Sequence, residues 1–238
     1  MAFDLSNKYA DVWLFESRFE AGFAVFENVL TADECDKIAE NLDLEIETRS
    51  RAGARHLMMN PTVNRIASDP RLLKIARTSL GLSSVPFRAT LFEKTGKANW
   101  LVVWHQDTAL PLKDFVPSDE WGPWSTKDGV RYAHAPTGAL NQIVALRIHL
   151  DDSTTFNGPL RVVPRSHRFG VLDDEEVFKL AHNSAVRECS VGKGGILAMR
   201  PLLIHASSKV KIDAPRRVLH IEYASSTNLG YGVQLEVC

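Results

Sequence analysis

The residues best suited to chemistry in this chain are an imidazole and a carboxylate two positions apart in Trp104-His105-Gln106-Asp107, a second imidazole at His205 and a guanidinium at Arg216. Two histidines and one carboxylate on one face of a metal ion leave half of its coordination positions open, the arrangement that non-haem Fe(II) oxygenases use. The same three groups also bind catalytic zinc, so ligand types alone leave that alternative open. Arginine offers a planar, always-charged fork that suits a carboxylate better than the point charge of lysine does. Arg216, eleven residues beyond His205, is therefore a candidate to hold an acidic cosubstrate.

These groups need elements that aim them at one point. Residues 98–104 are rich in aromatic and β-branched types and predict a strand running into the first pair. Side chains at i and i+2 of an extended chain leave the same face, so His105 and Asp107 can converge while Gln106 points elsewhere. Residues 196–204 form an apolar run after the turn signal Gly192-Lys193-Gly194-Gly195, and predict a strand that delivers His205 at its far end. Residues 216–224 predict another strand, and the polar stretch 207–215 reads as a connection between two neighbouring strands.

With Asn157-Gly158-Pro159-Leu160 and Val163-Pro164-Arg165-Ser166-His167, these segments resemble the phytanoyl-CoA dioxygenase family of Fe(II)- and 2-oxoglutarate-dependent oxygenases, from about residue 22 to about residue 224. The resemblance implies a mainly β fold, a cupin-like double-stranded β-helix or jelly roll. It implies Fe(II) held by His105, Asp107 and His205, and Arg216 paired with the distal carboxylate of 2-oxoglutarate. It further implies that Ser207 touches that carboxylate and that Thr90 lines the same pocket. The implied reaction uses O2, splits 2-oxoglutarate into succinate and CO2, and hydroxylates a small molecule. Related halogenases replace the carboxylate ligand with a small residue, so Asp107 argues against halogenation. Desaturation, epimerisation and cyclisation on the same iron stay open, as do a Zn hydrolase and a jelly-roll binding protein without catalysis. Two positions depart from the family pattern. Arg165 stands where members commonly show glycine, so a differently shaped loop is expected there. Residues 206–209, Ala-Ser-Ser-Lys, lack an asparagine often present.

Other titratable residues carry weaker signals. His149-Leu150-Asp151 repeats the His-x-Asp spacing without the surrounding context, and Asp151 and Asp152 read as turn residues. His220 alternates onto the face of Arg216 and is either a pocket residue or a core histidine with one hydrogen-bond partner. Arg217 points the other way and is expected to be ion-paired or solvated, and His167 to be structural. Arg88, Arg147 and His149 either face the pocket, favouring a polar or anionic substrate, or form structural ion pairs. Nothing identifies a coenzyme A thioester.

At 238 residues and 45% hydrophobic content the chain reads as one domain over 1–238 with a sizeable core. A net charge of -1 gives no case for nucleic acid or an anionic membrane as partner. The three cysteines, Cys35, Cys189 and Cys238, are scattered and suit a reducing compartment. Residues 1–9 lack a basic start followed by an apolar stretch and no run approaches a membrane-spanning length, so a soluble, cytoplasmic protein is expected. A strand over 22–29 is followed by a capping box of Thr31 and Glu34 and an apolar stripe of Cys35, Ile38, Ala39 and Leu42. A second helix starts at Asp69-Pro70, directs Leu72, Leu73, Ile75, Ala76 and Leu80 inward and stops at Gly81; a third starts at Asp173 with Glu176. The first two are expected to cover the outer face of one sheet. Residues 108–138, with Trp121 and Trp124, show no clear periodicity and read as a long loop, either a lid over the metal or a packed surface loop.

Overall fold

Strands whose residues alternate between two faces must bury one face against another layer, and this chain does so by folding two antiparallel sheets together. The structure is a computed structural model that describes residues 19–238 apart from 51, 82, 95–98, 100, 213 and 231. In chain order its strands are β1 (Phe23–Phe26), β2 (Gly53–Arg55), β3 (Val85–Lys94), β4 (Val102–His105), β5 (Ala109–Pro111), β6 (Trp124–Lys127), β7 (Val130–His134), β8 (Ile143–His149), β9 (Leu160–Val162), β10 (Arg187–Cys189), β11 (Ile196–Met199), β12 (His205–Ser207), β13 (Arg216–Ala224), β14 (Asn228–Gly230) and β15 (Val233–Gln234). The larger sheet has the order β1-β11-β8-β13-β3-β2, and the smaller β10-β9-β12-β4. The chain shuttles between them: β3 to β4, β8 to β9, and then, after β10 pairs with β9, β11, β12 and β13 each in the opposite sheet from the last. That winding is the double-stranded β-helix expected from the resemblance.

The predicted helices form with their predicted caps. In α1 (Ala32–Glu45) the Thr31 side chain accepts from the Glu34 backbone N–H while the Glu34 side chain accepts from Thr31 N–H. Helices α2 (Pro61–Ala67) and α3 (Pro70–Leu80) follow, the latter with Asp69 at its N-cap and Gly81 at its C-cap. Leu42, Val63, Leu72 and Ala76 from these three helices join Leu91, Leu146, Leu219 and Ile221 of the larger sheet in one core. Two short helices complete the set, α4 (Thr137–Leu140) and α5 (Asp174–Asn183). Val177 and Ala181 of α5 pack on Val163 and Ile204, beside the smaller sheet.

Three expectations are corrected. The run 196–204 is not one strand: β11 ends at Met199, the chain turns through Arg200-Pro201, and β12 begins in the other sheet. Almost every residue there is buried, so no alternation marked the break. The connection 207–215 therefore crosses between sheets and does not join hydrogen-bonded neighbours. Residues 108–138 are not an irregular loop, since β5, β7 and β6 pair as a third antiparallel sheet. Trp121 and Trp124 pack there with Leu110, Leu112 and Phe87 and do not line the cavity beside His105 and Asp107, whereas Lys127 and Tyr132 of this segment do. Strands of three to five residues are too short for periodicity to reveal.

Cys35, Cys189 and Cys238 are buried free thiols. No helix among the described residues is long and apolar enough to cross a membrane. Ala98 and Trp100 of the predicted strand, and residues 1–9, lie outside the described residues. Arg165 adopts φ 68° and ψ 0°, the left-handed conformation that glycine occupies at little cost. The backbone at that position thus keeps a glycine-like shape despite the side chain.

Candidate metal centre and pocket

Strands β4 and β12 are neighbours, and their antiparallel register sets His105 directly opposite His205. Asp107 lies just past the end of β4, where its N–H donates to the Pro201 carbonyl at 2.9 Å. One carboxylate oxygen then sits 3.6 Å from His105 Nε2 and the other 3.6 Å from His205 Nε2. The ligand atoms of all three residues lie within 4.8 Å of one another. The two imidazoles are oriented by the same device: His105 Nδ1 is 2.8 Å from the Val103 carbonyl and His205 Nδ1 is 2.8 Å from the Leu203 carbonyl. A carbonyl only accepts, so each Nδ1 carries the proton and each Nε2 lone pair faces Asp107. Burial pulls the His205 imidazole down to about 4. Burial also opposes the charge on Asp107, but the polar side chains of His205, His105 and His220 around it and the Arg88 guanidinium outweigh it and hold the carboxyl ionised. Neutral imidazoles and an ionised carboxylate are what a divalent metal needs, so the donor set fits iron.

Gln106 faces away from Asp107 and clamps three backbone groups. Its Nε2 donates to the carbonyls of Gly170 at 2.9 Å and Leu202 at 2.8 Å, and its Oε1 accepts from Leu172 N–H at 2.9 Å. It ties the ligand pair to the segment that leads into His205. The i+1 position predicted the direction; nothing in the spacing predicted the partners.

The triad opens onto a cavity of about 280 Å³, also lined by Arg216, Ser207 and Thr90. Arg216 is 4% exposed, and its Nε and one Nη have no hydrogen-bond partner among the described residues. Burial, with help from Arg147, pulls its guanidinium down to about 9. A buried, unsatisfied fork is costly without a ligand and is shaped for a carboxylate. Ser207 donates to the Gly158 carbonyl at 2.8 Å and accepts from Lys94 Nζ at 2.8 Å, so its proton is committed within the protein. Gly158 has φ +73°, and a Cβ there would stand 2.4 Å from the Ser208 carbonyl oxygen. The Asn157-Gly158 pair thus serves close approach between chain segments: Asn157 closes the turn by bonding Thr154 N–H and the Asp152 carbonyl.

Lys94 is a site residue that sequence reasoning missed. It pairs in register with Arg216 across β3 and β13, is 1% exposed and also donates to the Ser208 carbonyl at 2.6 Å. Burial, then Arg216 and Arg147, bring its ammonium down to about 7. The available signal was its alternation with Thr90 and Phe92.

Across the larger sheet, Arg147, His220, Thr90 and Arg55 form one cross-strand row. His220 belongs to the pocket, accepting from Arg147 at 3.1 Å on Nδ1 and bonding Glu222 at 2.9 Å through Nε2. Glu222 pairs with Arg88, which also donates to the Ala109 carbonyl at 2.8 Å. Of the three candidate pocket groups, Arg88 and Arg147 line the cavity, whereas His149 is buried outside its lining, both ring nitrogens without a partner among the described residues. Asp151 binds Arg217 at 2.8 Å, so the second His-x-Asp triplet does not converge. His167 packs against Gly22.

The sequence profile described as phytanoyl-CoA dioxygenase (PhyH) matches residues 19–218. The ectoine dioxygenase of Sphingopyxis alaskensis is 23% identical over 245 residues, covering 87% of this chain and 73% of that protein. The L-proline trans-4-hydroxylase of Streptomyces griseoviridis is 27% identical over 192 residues, 69% of this chain and 63% of that protein. Among solved structures, the epimerase SnoN in complex with Fe3+, alpha ketoglutarate and nogalamycin RO shares the fold with a TM-score of 0.71 at 18% identity, covering 92% of this chain and 85% of that one.

Proposed function

This chain belongs to the phytanoyl-CoA dioxygenase family of iron- and 2-oxoglutarate-dependent oxygenases, and from that premise we propose that it hydroxylates a small molecule, releasing succinate and CO2. His105 and His205 would hold Fe(II) through Nε2 and Asp107 through its carboxylate. The iron with 2-oxoglutarate and O2 supplies the oxidising chemistry when bound. The protein's own work is to orient and exclude. The Val103 and Leu203 carbonyls fix the imidazole tautomers, and Gln106 holds the ligand segment in register. Arg216 would take the distal carboxylate of 2-oxoglutarate, with Ser207 and Thr90 beside it.

The observation that carries this reading is the buried, partly unsatisfied Arg216 guanidinium in the same cavity as the three ligand atoms. A zinc hydrolase gives that cation no task, and the intact set of three ligands argues against a non-catalytic jelly roll. The test is the visible spectrum of anaerobic protein with Fe(II) before and after 2-oxoglutarate. A weak metal-to-ligand charge-transfer band that appears with 2-oxoglutarate and is lost in Asp107→Ala supports the reading. Absence of the band in folded wild type overturns it. Product analysis then separates hydroxylation from epimerisation, the outcome named for the structural relative SnoN.

A further inference from the structure

Arg147 projects from β8 into the cavity, is 7% exposed and has no carboxylate partner among the described residues. Its contacts are neutral or aromatic: one Nη donates to His220 Nδ1 at 3.1 Å, its Cζ stands 5.3 Å from the centre of the Phe92 ring, and its Nε has no partner among the described residues. The cavity's other cations that are not exposed, Arg88 and Arg216, find balance. Glu222 offsets Arg88. The two positive charges of iron and the one on Arg216 would be met by Asp107 and by the two carboxylates of 2-oxoglutarate. Lys94 does not line the cavity and is tied to Ser207 and the Ser208 carbonyl. Arg147 is left over, and a buried cation without a counter-charge is unfavourable until an anion arrives.

From this balance, and resting on the iron and 2-oxoglutarate reading, we infer that the primary substrate is a small carboxylate whose anionic group is received by Arg147. The His220–Glu222–Arg88 chain braces that guanidinium from behind, since His220 accepts from it and passes its own N–H to Glu222. Two exposed cations at the opening, Lys127 and Arg55, add a field that draws an anion inward. Lys127 stands 4.9 Å from the centre of the Tyr132 ring, and Arg55 is 3.5 Å from Asp128 at the tip of the β6–β7 hairpin. The cavity of about 280 Å³ sets a size limit, because 2-oxoglutarate must share it.

The experiment offers anaerobic protein loaded with Fe(II) and 2-oxoglutarate a panel of small carboxylic acids (amino acids, hydroxy acids and aromatic acids), each beside its own carboxamide. The readouts are perturbation of the charge-transfer band and the rise in unfolding temperature. Binding confined to acids is expected, with Arg147→Met weakening the best acid by about thirty-fold or more while the 2-oxoglutarate affinity stays unchanged. Arg147→Lys keeps the charge and should retain part of the binding, which guards against a folding defect in the Met variant. Equal binding of acids and amides, binding of neither, or an Arg147→Met variant that weakens 2-oxoglutarate in place of the acid would each overturn the inference. Failure of the band to form in wild type would strike the iron and 2-oxoglutarate reading itself, before any acid is added.

Discussion

His105 and His205 are direct cross-strand partners, their ring centroids 4.1 Å apart, and each is held by a hydrogen bond to the carbonyl two residues before it. The candidate metal centre is thus spanned by one rung of a β-ladder, with Asp107 closing it from the chain end beyond. Removing Asp107 leaves two ligands on that rung. Asp107→Ala should lose more than about a hundred-fold in Fe(II) or Co(II) affinity, beyond what losing a ligand's hydrogen-bond partner typically costs. In wild type, metal at a hundred times its Kd should add about 2.7 kcal/mol of stability, and at the same metal concentration the variant should gain less than about 0.4 kcal/mol. Thermal unfolding with and without metal reads both.

Arg216→Met should weaken 2-oxoglutarate by about 2 to 5 kcal/mol while leaving metal affinity unchanged. The unliganded variant should be no less stable than wild type, because the change removes a buried cation whose Nε and one Nη lack partners among the described residues. Titration of the charge-transfer band with 2-oxoglutarate measures the first effect and urea unfolding the second. A large loss of unliganded stability would mean that Arg216 serves the fold.

Gln106→Leu strips three hydrogen bonds from the backbone around the ligand pair. Each buried group left unpaired costs about 1 to 3 kcal/mol, so the variant should be measurably less stable. Metal affinity should fall about ten- to hundred-fold. With metal at saturation its 2-oxoglutarate affinity should match wild type, since Gln106 does not line the cavity. Parallel loss of both affinities would argue against a specific role in aligning the ligands.

Lys94 makes stability depend on pH in a definite direction. Burial and the neighbouring arginines lower its pKa to about 7 in the folded protein, against 10.5 when unfolded. Below pH 7 both states hold the proton and the full cost of burying the charge is present. From about pH 7 to 10 the folded protein sheds the proton first, the unfolded chain binds more protons, and stability rises with pH. The slope is at most roughly 1.4 kcal/mol per pH unit. Urea unfolding at a series of pH values across that window should show the rise in wild type and a flatter profile in Lys94→Met; equal slopes would remove Lys94 as the source.

Arg165→Gly should be neutral to stabilising, by up to about 1 kcal/mol. The left-handed backbone at φ 68° strains an arginine by roughly 1 to 2 kcal/mol, and the greater freedom of unfolded glycine returns part of that gain. A stability loss above about 1 kcal/mol, read by urea unfolding, would show that the exposed side chain makes contacts that matter.

The helices were legible because their signals are local. Thr31 with Glu34, and Asp69-Pro70 with Gly81, state a beginning or an end within a few residues. The Trp104–Asp107 segment was legible for the same reason: an i, i+2 pair on an extended chain needs no distant partner to share a face. What residues 196–204 become was not, because a run buried on both faces reads alike whether it is one strand or two in different sheets.

The sequence by itself determined the ligand types, the direction of Gln106, the cation at Arg216 and, through the family resemblance, the jelly-roll fold. Only the tertiary structure decided that His105 faces His205, that Lys94 stands opposite Arg216, and that Arg147 enters the pocket without a counter-charge. Those relations depend on register between strands far apart in the chain, and a shift of one residue would turn each side chain to the other face. Local pattern sets which face a residue takes. Packing of the two sheets sets what it meets there.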